Sequence, residues 1–512
     1  IDASDVRAHL YRVSLSIAQA SQNQIVALPV WIPGSYMVRE FAKHVQNLRA
    51  RTPKGKAVVL QQLDKCSWQA ECKAGQSLVL EYEVYAFDNS VRTAWLDSER
   101  AFFNPTALCL RVLGQEEEQH ALCFAPLQQP LWQIYSAARA CDSATADEPT
   151  YLFDGYDHLA DTPFVLGDLW QGNFEAEGIH HQFVISGLPA NFDGARLLQD
   201  TQTICSEQLR FWAQAGKSAR AVFSHYLFIL HAADEGYGGL EHANSTALIC
   251  AQQDLPRTAP SPQSKGYTTL LGLISHEYFH SWNVKRLRPA ELARYDYGSE
   301  QYTELLWFFE GFTSYYDDLL LLRAGCIDLE GYIGQLQKAL DSVQNNPGRH
   351  IQSAALSSLE AWTKLYRPDE NSPNATTNYY TKGALIALCL DLTLRREGHT
   401  TLDAVMQTLY QHCFASQKTP FGMTEADLAA VLHALGGRSF ANELRQWVHG
   451  TEELPLEQLL AHTPIRIRKT PAPLAQQWGL RCKEGASISI QTVLRGSAAE
   501  AAGMAAGDER LG

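Results

Sequence analysis

The sequence predicts a multidomain protein with an all-β N-terminal part and a mostly helical remainder, and three observations carry that expectation. At 512 residues the chain is long enough for more than one core. Apolar residues alternate with polar ones near the N-terminus, the period-2 mark of half-buried strands. After Ser264 the apolar spacing changes to the helical period and stays there over long runs.

Tyr11, Val13, Leu15 and Ile17 form the first alternating set, and Leu78, Leu80, Tyr82 and Val84 form another. Between them, Pro29 and Pro33 in Pro-Val-Trp-Ile-Pro-Gly-Ser-Tyr exclude a helix interior. An antiparallel β-sandwich is the expected architecture. Residues 114–167 read as a loop-rich zone. Val184–Ile185 and Tyr226–Leu230 read as strands and Ile204–Ala213 as a helix. Helical spacing then covers Tyr267–Trp282, Leu305–Ala324, Ile333–Val343, Lys382–Arg396, Thr401–Cys413 and Thr424–Leu435. Thr424 and Asp427 are spaced as a capping box. Past Pro464 the pattern breaks, and Ser487–Val493 reads as a strand followed by a turn, a short helix and a second turn. The expected domains are 1–167, 168–463 and 464–512.

Composition narrows the function. Hydrophobic residues make up 46% and charged residues 19%, the profile of a well-packed globular chain. The net charge is −14, with 42 Lys and Arg against 56 Asp and Glu, which argues against nucleic acid as a partner. Apolar runs such as Leu385–Leu390 are too short to span a membrane. The chain opens without Met and without a basic-then-apolar leader. Its 11 cysteines are scattered singly, with no CxxC pair, and many sit in apolar runs. They suggest small buried hydrophobes in a reducing, cytoplasmic compartment.

The chemistry concentrates in four segments. In His276-Glu277-Tyr278-Phe279-His280, helical positions i and i+4 put both imidazoles on one face, the spacing of a zinc site. Glu277 lies beside them, placed to take a proton from the attacking water. Two surface histidines on an ordinary helix is the competing reading. It is weakened by the apolar stripe Leu270-Leu271-Gly272-Leu273-Ile274, because a buried helix needs a reason to bury such groups. Zinc needs a third protein ligand. Glu310, an acid inside Trp307-Phe308-Phe309-Glu310-Gly311-Phe312, is the best candidate, and a solvent-facing glutamate is the alternative.

The glycine-rich run Gly236-Tyr237-Gly238-Gly239-Leu240-Glu241-His242 lies beside a strand. Gly238 and Gly239 would admit a ligand backbone, and Glu241 could hold a substrate ammonium; a plain hairpin turn fits equally. In Asn378-Tyr379-Tyr380-Thr381-Lys382-Gly383, opening a helix, a phenol could donate to an oxyanion, or both tyrosines could be core.

Taken together, Gly-Gly-Leu-Glu-His, His-Glu-Tyr-Phe-His-Ser-Trp-Asn-Val-Lys-Arg, Glu-Gly-Phe-Thr-Ser-Tyr-Tyr and Tyr-Thr-Lys-Gly resemble the glycyl aminopeptidase family of zinc metallopeptidases. Trp31-Ile32-Pro33-Gly34-Ser35-Tyr36 resembles it as well. That family is related to the aminopeptidase N group. The resemblance covers nearly the whole chain, in order. It implies an N-terminal β domain, a thermolysin-like catalytic domain and a C-terminal PDZ domain, of which the tail from about Ser487 resembles the first half. It implies one Zn2+ held by His276, His280 and Glu310, with Glu277 as catalytic base, Tyr380 as oxyanion donor and Glu241 as anchor of the free amino terminus. Substrates would be peptides with small first residues, glycine or alanine. The interval from His280 to Glu310 is longer than in the aminopeptidase N group, and His242 stands where that group has Asn. An endopeptidase on the same site and a non-catalytic PDZ peptide-binding protein are the alternatives.

Overall fold

A computed structural model of the protein describes residues 1–141, 145, 148–216, 222–258, 262–415, 422–470, 474–485 and 487–510. The chain divides into two compact units. The first comprises Ile1–Leu209, Ala221–Ser281 and Tyr295–Gln301, and the second Arg210–Arg220, Trp282–Arg294 and Tyr302–Gly512.

In the first unit the alternating segments pair as expected. Strands Leu10–Ala20 and Gln76–Tyr85 run antiparallel in a five-stranded sheet, with Tyr11, Val13 and Ile17 opposite Val84, Tyr82 and Leu78. All six are buried. Strands Ile25–Ala27 and Ser67–Ala70 belong to a second sheet, and Val26 and Trp68 join the same apolar core. The zone 114–167 is not loop-rich, as far as it is described. It holds strands His120–Cys123, Gln133–Tyr135, Arg139–Ala140, Thr150–Phe153 and Phe164–Gly167 and the helix Tyr156–Ala160; residues 142–144 and 146–147 lie outside the described residues. Strands of two to four residues are too short to display a period, and Phe164–Gly167 is buried throughout, so no alternation marks it.

The unit also holds a mixed sheet in the order Trp170–Ala176, Ile179–Ser186, His225–Ala233, Ser245–Ala251, Tyr237–Glu241. Its two central pairings put His225–Ala233 parallel to both neighbours, whereas Tyr237–Glu241 returns antiparallel as an edge. The helix expected from Ile204 starts at Gly194, where Asp193 accepts from Arg196 N at 3.0 Å. The next helix runs Lys265–Phe279, capped by Ser264, and buries Tyr267, Leu270, Leu271, Leu273 and Ile274. It is shorter than the pattern suggested, with His280 as its C-cap in helical geometry.

The second unit is helical. Helices Leu306–Arg323, Leu329–Gln344, Tyr379–Glu397, Leu402–Ala415 and Glu425–Gly436 follow the predicted segments, and Thr424 and Asp427 form the capping box. Leu306–Arg323 and Tyr379–Glu397 approach backbone to backbone at Gly311 and Gly383. A Cβ on Gly311 would stand 2.5 Å from Gly383 Cα. Backbone cannot yield as a side chain does, so Gly311→Ala should lower stability by about 1–3 kcal/mol in denaturant unfolding. In the tail, Ile488–Val493 lies between Leu480–Glu484 and Glu509–Arg510, and Ala498–Ala501 is a short helix. Asn374 ties this tail to the helices by donating to Val493 O and accepting from Arg495 N, both at 2.9 Å. Among the described residues no helix is long and apolar enough to cross a membrane.

Candidate functional site

The helix Lys265–Phe279 is pinned on its buried side before its chemistry begins. Gln208 Nε2 donates to Ser275 O at 2.8 Å and to Ser275 Oγ at 2.9 Å, immediately ahead of His276. Tyr278 OH meets His181 Nε2 at 2.9 Å, and His181 Nδ1 meets Ile179 O at 2.9 Å. A carbonyl only accepts, so Nδ1 carries the proton and Nε2 accepts from the tyrosine. Burial lowers the His181 pKa to about 4, which keeps that ring neutral and the chain of bonds intact at neutral pH.

On the opposite side of the helix the polar groups converge. His276 Nε2 and His280 Nε2 are 3.0 Å apart. Two imidazole nitrogens at that separation share either a proton or a cation. Glu241, Glu277 and His280 are 4%, 5% and 1% exposed and offer ligand atoms within 4.8 Å of one another. Two carboxylates packed so closely, away from water, repel unless one holds a proton or positive charge lies between them.

The glycines explain how the acids fit. Gly238 and Gly239 lie inside the edge strand Tyr237–Glu241, not in a turn. A Cβ on Gly239 would overlap the Glu277 carboxylate, so the absent side chain is the space the acid occupies. Gly34, with φ +89°, does the same for Glu241: a Cβ there would stand 2.5 Å from Glu241 Oε1. Gly34 is therefore constrained twice, by backbone conformation and by contact. Its segment is tied down by Val30 N donating to Tyr297 O at 2.8 Å and by Trp31 Nε1 donating to Asp296 O at 2.7 Å.

The strand ends in a turn built around an acid. Asp161 Oδ2 accepts from Ala243 N at 2.9 Å, and Asp161 Oδ1 lies 3.2 Å from His242 Nδ1. His242 thus turns its imidazole to Asp161 and steadies the residue after Glu241. Asp161, Gln208 and His181 carried no signal of these roles in the sequence beyond their residue types. Each acts across more than 60 residues of chain, as the 67-residue separation of Gln208 from Ser275 illustrates.

In the second unit Glu310 is 2% exposed on the helix Leu306–Arg323, among Trp307, Phe308, Phe309 and Phe312. Asn283 locks the turn that carries it, donating from Nδ2 to Phe309 O and Thr313 Oγ1, both at 3.1 Å. Tyr380 opens the helix Tyr379–Glu397, whose N-cap Asn378 accepts from Tyr380 N at 2.8 Å. Desolvation, reinforced by Glu310 and Tyr366, raises the Tyr380 phenol well above the ordinary tyrosine range. It remains a hydrogen-bond donor across the neutral range. Tyr379 is fully buried and stacks on Tyr380 with ring centroids 4.7 Å apart. Of the residues the sequence singled out, His276, Glu277, His280, Glu241 and Gly239 meet in the first unit, and Glu310 and Tyr380 share the second.

Comparison with known proteins agrees with this chemistry. The model of the peptidase M61 N-terminal domain matches residues 1–168, and that of M61 glycyl aminopeptidase matches residues 269–386. The crystal structure of an aminopeptidase N family protein from Idiomarina loihiensis is 36% identical, with a TM-score of 0.93 over 99% of this chain and 87% of that one. An M1 zinc metallopeptidase from Deinococcus radiodurans shares the fold at 15% identity, with a TM-score of 0.50 over 87% of this chain and 91% of that one. No curated protein shows significant sequence similarity to the chain. The glycyl aminopeptidase resemblance read from the motifs is borne out: this chain belongs to the M61 family of metallopeptidases and is a peptide hydrolase.

Proposed function

We propose that this enzyme is a zinc aminopeptidase that removes small N-terminal residues, glycine and alanine foremost, from peptides. The observation that carries the reading is the buried gathering of Glu241, Glu277 and His280 beside His276. One cation does not serve both acids in their expected roles. A metal at the histidines and a substrate ammonium at Glu241 together supply the missing charge.

Zinc fits the donors. Ligands at 2.0–2.1 Å from a tetrahedral ion stand about 3.3 Å from each other, close to the spacing of the two Nε2 atoms. His276, His280 and Glu310 are the ligands of this reading, and two imidazoles with one carboxylate is a donor set that zinc favours. When bound, zinc supplies Lewis acidity, polarising the scissile carbonyl and acidifying water.

The protein's own groups do the rest. Glu277, set against Gly239, takes the proton of the attacking water and hands it to the leaving amine. Tyr380 donates to the oxygen on which negative charge develops. Glu241 pairs with the α-ammonium, so the scissile bond is the first of the peptide. Small first residues are inferred from the glycyl aminopeptidase name of the matching family. In this reading 1–167 is the β domain, 168–463 a thermolysin-like catalytic domain and 464–512 part of a PDZ-like domain, in a cytoplasmic enzyme.

The test compares one alanyl peptide with a free and an acetylated amino terminus. The wild type should cleave only the free form, and Glu241→Ala should cost that form about 2–3 kcal/mol of transition-state binding while zinc content stays constant. Equal rates on both peptides in the wild type would identify an endopeptidase instead.

A further inference from the structure

The hairpin ending at Glu241 determines which backbone groups of the edge strand face outward. His242 N donates to Ser245 O at 2.9 Å and closes the turn. From that pair the strand continues with Glu241 opposite Thr246, Leu240 opposite Ala247 and Gly239 opposite Leu248. Bonded and non-bonded pairs alternate along an antiparallel ladder. Glu241 and Gly239 fall on the non-bonded positions, so the N–H and C=O of each point to the free edge.

At Gly239 that edge is met by Arg92. Its Nη2 donates to Gly239 O at 2.9 Å, and its Nη1 stands 3.5 Å from where a Cβ of Gly238 would be. Arg92 Nε is buried and has no hydrogen-bond partner among the described residues. The Nε is enclosed, but the side chain as a whole is only half-buried and Nη1 makes no hydrogen bond among the described residues, so its N–H groups beside the open strand edge can receive an anion. A carboxylate suits that role, because its two oxygens match the fork of the guanidinium.

Spacing identifies whose carboxylate. A peptide whose ammonium rests on Glu241, running antiparallel along the edge, draws level with Gly239 two residues later. At 3.2–3.4 Å per residue that is about 7 Å, the length of an extended dipeptide from amine to carboxylate. We propose that Arg92 receives the C-terminal carboxylate of the substrate, and that the enzyme's preferred substrates are dipeptides free at both ends. The assignment rests on the aminopeptidase reading of Glu241.

The experiment sets Ala-Ala against Ala-Ala-amide. In the wild type the free acid should have at least about tenfold higher kcat/KM, mostly through a lower KM, the worth of one charge-assisted contact. Arg92→Gln should erase the difference, and Arg92→Lys should restore part of it. Equal kcat/KM for the two peptides in the wild type would overturn the proposal. So would an Arg92→Gln protein slowed equally on both, which is the behaviour of a residue that only braces the strand. Calorimetric binding of the same pair to zinc-loaded Glu277→Gln protein separates this claim from the broader one. Tighter binding of the free acid with no cleavage of either peptide by wild type would retain Arg92's role and reject the aminopeptidase. Equal binding would reject the role of Arg92 whatever the activity.

Discussion

Glu277→Gln should retain its zinc and lose about three orders of magnitude in turnover. The substitution keeps the volume of the side chain, so the Gly239 backbone against which the acid rests is undisturbed. What disappears is the capacity to accept a proton, and general-base catalysis is commonly worth about 10²–10⁴ in rate. Metal content by atomic absorption should match the wild type, because Glu277 is not among the proposed ligands. A Gln variant within about tenfold of wild type would mean that another group takes the proton, and the nearby Glu241 would be the first to examine.

Tyr380→Phe should cost about two to three orders in kcat with little change in KM, the pattern of a contact made only as charge develops. Two features assign the donor to this phenol rather than its neighbour. Tyr380 is half-buried and its hydroxyl lies 3.4 Å from that of Tyr366, whereas Tyr379 is wholly enclosed. Tyr379→Phe removes only a hydroxyl from a buried ring and should leave kcat near wild type. The reverse result, with Tyr379→Phe crippled and Tyr380→Phe active, would exchange the roles.

The sequence revealed groups whose chemistry is local. His276, Glu277 and His280 are recognisable because one helical turn sets their spacing, and the Gly238–Glu241 run because glycines punctuate a strand. Arg92 was legible only as a residue type, and Gly34 only as part of the segment Trp31–Tyr36. Their partners, Gly239 and Glu241, lie far along the chain, and no periodicity encodes a contact of that range. The same reason hid the short strands between Gly114 and Gly167, whose pairing is tertiary and whose length is below any repeat. His242 departs from the aminopeptidase N pattern, and its approach to Asp161 shows what the departure accomplishes.

Gly34 sets its backbone directly behind the Glu241 carboxylate. If that acid receives an amino terminus, the pocket is a cul-de-sac: a polypeptide arriving mid-chain has nowhere to send the segment that precedes its bond. Such an enzyme needs neither an inhibitor nor a propeptide to live safely among folded proteins. The loops of its neighbours have no end to offer, and only a free amino terminus reaches the acid.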